Sequence, residues 1–184
     1  MSFVIQLGHP KINQGPFPPF ERLCDAFPAL FRAEEESVYL FWHAIPLRIR
    51  YREDLYRNFD SILALVWLAQ RDDRGATKVE LNNQLLSIHW EVRWEGDELN
   101  IHSAFVAHEE LYAPYALSLE RRPEAQMKKE AFLSEWKTLL HQIIVAFRSG
   151  RVEIRDGVER RKWEMLQRVE SQIQQYGRLY TRST

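Results

Sequence analysis

"SIHWEVRWEGDELNIHSAF", residues 87–105, alternates apolar and polar side chains almost without a break around a central Gly-Asp pair. Strict period two over eight or more residues on each side of a turn signal predicts a β-hairpin with one buried and one wet face. Its register follows from the turn. If Gly96-Asp97 are the two loop residues, with glycine first as a type II′ turn prefers, Glu95 faces Glu98. Trp94 then faces Leu99, Val92 faces Ile101, Trp90 faces Ser103 and Ile88 faces Phe105, so one face is nearly all apolar. A slip of one residue would send those side chains into water, which fixes the register despite the like charges of Glu95 and Glu98. On the other face Arg93 meets Asn100 and Glu91 meets His102, with His89 opposite Ala104.

Upstream, "SFVIQLG" at 2–8 suits a short strand, and "HPKINQGPFPPF" at 9–20 is a loop because four prolines remove donors and fix φ. Residues 21–32 suit a short helix interrupted at Pro28. "SVYLFWHAIPLRIRY" at 37–51 reads as β structure, with Pro46 marking an edge or bulge. The period then changes: Leu55, Phe59, Ile62, Leu63, Val66 and Trp67 form a helical stripe over 53–70. "RDDRGATK" at 71–78 ends that helix and leads into a strand at "KVEL".

Downstream of the hairpin, one strand is expected at 115–121. The helix expected at 128–150 carries Phe132, Trp136, Leu139, Leu140, Ile143 and Phe147 on one face, with Gly150 at the C′ position. "RVEIR" suits a short strand or a connection. Asp156 with Glu159 has the spacing of an N-terminal cap, and Trp163, Leu166, Val169, Ile173 and Tyr176 carry a last helix to Gly177. Strands and helices without βαβ alternation predict an α+β protein, a mostly antiparallel sheet packed against two or three amphipathic helices. At 184 residues the chain suits one domain, 1–184, with 9–20 as its Pro-rich loop.

Lys plus Arg number 25 and Asp plus Glu 26, so no global charge draws the chain to nucleic acid or an anionic membrane. The local basic candidates are Arg48, Arg50 and Arg52, beside Tyr51 and Trp42, and "ERRK" at 159–162, both interleaved with acids. A single cysteine, Cys24, forbids an internal disulfide and suits a reducing compartment. The first ten residues lack the basic and apolar regions of a signal peptide, and the longest apolar run, "ILALVWLA", is far short of the roughly 20 residues a bilayer needs. A cytoplasmic protein is expected.

Chemistry finds little to build on. No two histidines stand at the i, i+4 spacing of a helical zinc pair, and "HEEL" at 108–111 lacks the second histidine of a zincin. Nucleophile elbow, P-loop and dinucleotide fingerprint are all missing from the sequence. Cys24 has no neighbours that would lower its pKa and reads as a buried hydrophobe. Of the six tryptophans, five fall on apolar phases and belong to a core; Trp42 is the ambiguous one. Neither a catalytic residue, a metal ligand nor a cofactor site is assigned. One enzymatic alternative is a site around His89, Glu91 and His102, a two-histidine, one-carboxylate set across the hairpin. A solvated His–Glu cross-strand pair is the blander reading of the same residues.

Taken together, "IPLRIRYREDLYRNFDSILALVWLA", "LLSIHWEVRWEGDELNIHS", "FLSEWKTLLHQII" and the closing "GRLY" stand in an order that resembles small bacterial immunity-like proteins of polymorphic or contact-dependent toxin systems. The resemblance spans about residues 45–180 and rests mostly on core patterns. It implies a cytoplasmic protein that binds and occludes one cognate toxin domain, without catalysis or cofactor. The candidate partner-binding residues are Glu34, Glu35, Glu36, Asp72, Asp73, Glu91, Arg93 and His102, with Glu109 and Glu110 as a further acidic pair. Converging acids would suit a basic nuclease toxin. A structural or adaptor subunit that pairs through a sheet edge is a further alternative.

Overall fold

The computed structural model describes the backbone of residues 3–32 and 36–180, and the side chains of these residues other than 170 and 172–180. The chain is an α+β protein whose strands divide into two antiparallel sheets. The first sheet holds β1 (Phe3–Gln6), β2 (Ser37–Trp42) and β3 (Ile45–Arg50) in that order; the second holds β4 (Arg74–Asn82), β5 (Leu86–Glu95), β6 (Glu98–Ala107) and β7 (Glu124–Lys128). The helices are α1 (Ala26–Leu30), α2 (Asp54–Arg71), α3 (Ala113–Glu120), α4 (Lys129–Ser149) and α5 (Gly157–Tyr180).

The hairpin has the register its turn dictates. Trp94 pairs with Leu99, Val92 with Ile101, Trp90 with Ser103 and Glu91 with His102. Gly96 takes φ +56° while Asp97 stays out of the left-handed region, the signature of a turn with glycine first. Burying Trp90, Val92, Trp94, Leu99 and Ile101 outweighs the repulsion of Glu95 and Glu98. Trp90 is covered by Trp42 of the first sheet, stacked at 5.8 Å, and by Trp136 of α4, edge-on at 6.3 Å. Trp42, the ambiguous tryptophan, is fully buried, and its indole N–H donates to the Arg122 carbonyl at 2.8 Å. Both long helical stripes are buried as their spacing requires, except that Trp67 at the end of the first is half-buried, and Pro46 does lie on an edge strand.

Four expectations are corrected. The strand at 115–121 is instead helix α3: Pro114 suits a first turn that needs no donor, and Ala116 and Leu119, three apart, turn inward together. The strand of this region is β7, which pairs with only the first half of β6, so α3 flanks the second half. Pro28 does not interrupt α1, because it occupies the third helical position, where no intrahelical donor is required. Gly150 is not the C′ residue of α4. Arg151 takes that place at φ +52°, with Arg151 N–H bonded to the Arg148 carbonyl and Val152 N–H to that of Phe147, a Schellman motif. Gly150 is small for a different reason: a Cβ there would stand 2.3 Å from buried Leu30. Finally, α5 runs past Gly177, since one glycine without a C-terminal motif weakens a helix without stopping it. "RVEIR" contributes a single bridge, Ile154 to Phe20.

Asp156 caps α5, its Oδ1 accepting from the Val158 and Glu159 amides at 2.8 and 2.9 Å. Glu159 does not close the box. Its carboxylate accepts from the Leu23 amide at 2.9 Å and pairs with Lys162, which also holds Asp60 of α2 at 2.6 Å. No described helix is long and apolar enough to cross a membrane.

Candidate functional site

The outer face of the second sheet is built from three cross-strand rows, readable from the register. Nearest the hairpin turn lie Arg74, Glu95, Glu98 and Lys128; next Ala76, Arg93, Asn100 and Gln126; then Lys78, Glu91, His102 and Glu124. The same alternation that buries the tryptophans sends these side chains to water. Glu91, Arg93, Asn100, His102, Glu124 and Gln126 line an open, polar concavity of about 640 Å³.

The two lysines of these rows are closed on glutamates, while Arg93 lies 3.8 Å from Glu91. Lys78 Nζ lies 2.6 Å from Glu91, Lys128 Nζ 2.6 Å from Glu98, and His102 Nδ1 3.8 Å from Glu124. The ammonium of Lys78, hydrogen-bonded to it, holds the Glu91 carboxyl below its ordinary value; Glu98 in turn raises the Lys128 ammonium. Glu91, Arg93 and His102 are therefore brought together. The register that predicted them could not supply Glu124 and Gln126, because β7 alternates over only five residues and lies past a helix misread as a strand.

The acidic candidates do not join them in one patch. Asp72 and Asp73 sit beside the hairpin turn, where the Asp73 carbonyl accepts from Gly96 N–H at 2.8 Å and the Asp72 carboxylate is closed on Arg71 at 2.8 Å. Glu109 and Glu110 follow the opposite end of β6, a strand of ten residues and so about 33 Å away. Glu36 leads into the first sheet and accepts from the Lys11 amide at 2.7 Å, bracing the Pro-rich loop. Glu34 and Glu35 lie outside the described residues.

The other candidate chemistries fare as follows. His89 faces Ala104 and Glu91 is held by Lys78, and among the described residues no group of three or more His, Cys, Asp or Glu could hold a metal ion. Cys24 is buried, and burial raises its thiol, the reverse of an activated nucleophile. Arg50 forms a two-pronged pair with buried Asp54 and reaches Glu53 at 2.6 Å, while Arg48 donates to the Ser37 hydroxyl, so the basic strand face is built into the fold.

All four edge strands have backbone groups taken by side chains. Ile5 N–H donates to Glu135; Asn83 and Tyr115 donate to the Arg48 and Pro46 carbonyls of β3. Asn58 brackets Asn82 at the end of β4, and His43 Nε2 donates to the Glu124 carbonyl of β7 at 2.8 Å. Edge occupation of this kind blunts pairing with another strand. The chain matches no protein-family model, no curated protein and no solved structure.

Proposed function

We propose that the protein is a non-catalytic binder of the immunity type, docking a cognate toxin domain against the outer face of its four-stranded sheet and acting by occlusion. The observation that carries the docking step is the concavity formed by Glu91, Arg93, Asn100, His102, Glu124 and Gln126. Its floor is sheet backbone anchored from behind by buried tryptophans, so little ordering entropy is lost on binding. Its side chains are polar and of both signs, with Glu91 fixed by Lys78, which favours register and partner choice over bulk adhesion. The toxin class rests on the order of segments along the chain, and the single buried thiol of Cys24 suits the cytoplasm as the compartment.

Co-expression with the product of the adjacent reading frame tests the proposal. The expected result is a stable complex in which amide hydrogen exchange slows along β5, β6 and β7. Failure to form that complex, or protection confined to the helices, would sink it.

A further inference from the structure

Resting on this docking surface, we infer that Arg93 is its anchor and that the partner presents an isolated carboxylate, from an Asp or Glu side chain, to the middle row of the sheet. Lys78 and Lys128 are each closed on a glutamate at 2.6 Å. Arg93 is held more loosely: its guanidinium lies 3.8 Å from one oxygen of Glu91, whose other oxygen holds Lys78. The Arg93 side chain is 75% exposed, and its row neighbours Ala76, Asn100 and Gln126 are uncharged.

A guanidinium presents a planar fork of donors that matches a carboxylate, and it is weakly hydrated enough to be buried on association. The side-chain amides of Asn100 and Gln126, one and two strands away, have no hydrogen bond to a protein group among the described residues. They are free to donate to the same carboxylate or its backbone. Arginine in the middle of a patch, ringed by polar groups that exclude water, is a common energetic centre of protein interfaces.

Glu124 sets the second requirement. It is 81% exposed and lies 3.8 Å from the His102 ring. Two strand spacings and two residues separate it from Arg93, about 12 Å. A uniformly acidic surface would be repelled there, so the carboxylate must be bordered by a base or a hydrogen-bond donor. This reverses the charge logic of the acidic runs: the sheet recruits an acid, not a base.

The test is an NMR titration of labelled protein with two blocked pentapeptides, Gln-Thr-Asp-Thr-Lys and the same peptide with Asn for Asp. The readout is the Arg93 Nε–H and the side-chain amides of Asn100 and Gln126. The Asp peptide is expected to shift all three saturably, with the Asn peptide about tenfold weaker or worse, the loss of one charge-assisted hydrogen-bond pair. Arg93→Gln should erase the difference between the peptides, and Arg93→Lys should keep part of it. Equal shifts from both peptides would overturn the carboxylate anchor while leaving a docking face in place. No shift from either would also overturn it, and the docking face would then stand or fall with the exchange footprint of the toxin complex.

Discussion

Among the described residues, three hold the left-handed backbone without being glycine: His43 at φ +47°, Ala44 at +69° and Arg151 at +52°. Each adopts a conformation in which Cβ crowds the backbone, and neither Ala44 nor Arg151 recovers the loss by packing. Ala44→Gly and Arg151→Gly should therefore each stabilise the protein by about 0.5–1 kcal/mol, the relief of strain less the extra unfolded-state entropy of glycine. Urea titrations that show either variant to be less stable would refute the assignment. Gly75 is the opposite case: a Cβ there would lie 2.4 Å from the Trp94 ring, so Gly75→Ala should cost about 1–3 kcal/mol by overpacking. Asp156 supplies one pH-dependent contribution to stability. The amides of Glu159 and Val158 depress its carboxyl below the ordinary value, so its contribution is present at neutral pH and is lost as the pH falls through that depressed value. Asp156→Asn keeps a capping oxygen but cannot titrate. Its melting temperature should fall less steeply than wild type's below about pH 4.

At the scale of elements, what was legible is what repeats. Ten-residue strands either side of Gly96-Asp97 and helices of five and six turns carry enough periods to fix face and register. The stretch 113–128 is not legible, because "APYALSLE" is apolar on nearly every side and "EAQMK" alternates over only five residues. A third of the candidate site was hidden with it: Glu91, Arg93, Asn100 and His102 follow from hairpin register, whereas Glu124 and Gln126 need β7. Side-chain clamps between elements were equally invisible. Asn58 of α2 donates to the Asn82 carbonyl at 2.6 Å and accepts from its amide at 2.8 Å, so a helix side chain completes the end of β4 as a neighbouring strand would. Asn58 is itself buried. Asn58→Ala would strand a backbone donor and acceptor together, and about 2–4 kcal/mol of stability should be lost. Asn58→Asp keeps the acceptor but not the donor, and should lie between alanine and wild type only where the new carboxyl is protonated. A loss below about 0.5 kcal/mol in Asn58→Ala would show that water replaces the clamp.

For the whole molecule, the question is whether two sheets make one folding unit. The buried side chains of both sheets and of all five helices form a single continuous cluster. Its junction is aromatic: Trp42 of β2 stacks on Trp90 of β5 and meets Phe105 of β6 edge-on at 5.9 Å, while Phe3 of β1 touches Trp90 and Trp136. Separating the sheets would expose these rings and break the Trp42–Arg122 and His43–Glu124 bonds that tie the β2–β3 turn to the start of β7. Each sheet buries its apolar face in a layer shared with the other sheet and with α2 and α4, so neither should persist alone. Urea unfolding followed by tryptophan fluorescence and by far-ultraviolet circular dichroism should therefore give one coincident transition. Trp42→Ala, which removes the central ring of the junction, should cost about 3–5 kcal/mol. It should also loosen β7, raising amide exchange at Glu124 and Ala125 before the rest of the second sheet responds. Two resolved transitions in the wild type, or a Trp42→Ala protein whose loss of protection stays within the first sheet, would mean that the sheets fold apart and that the outer face is not braced by the core behind it.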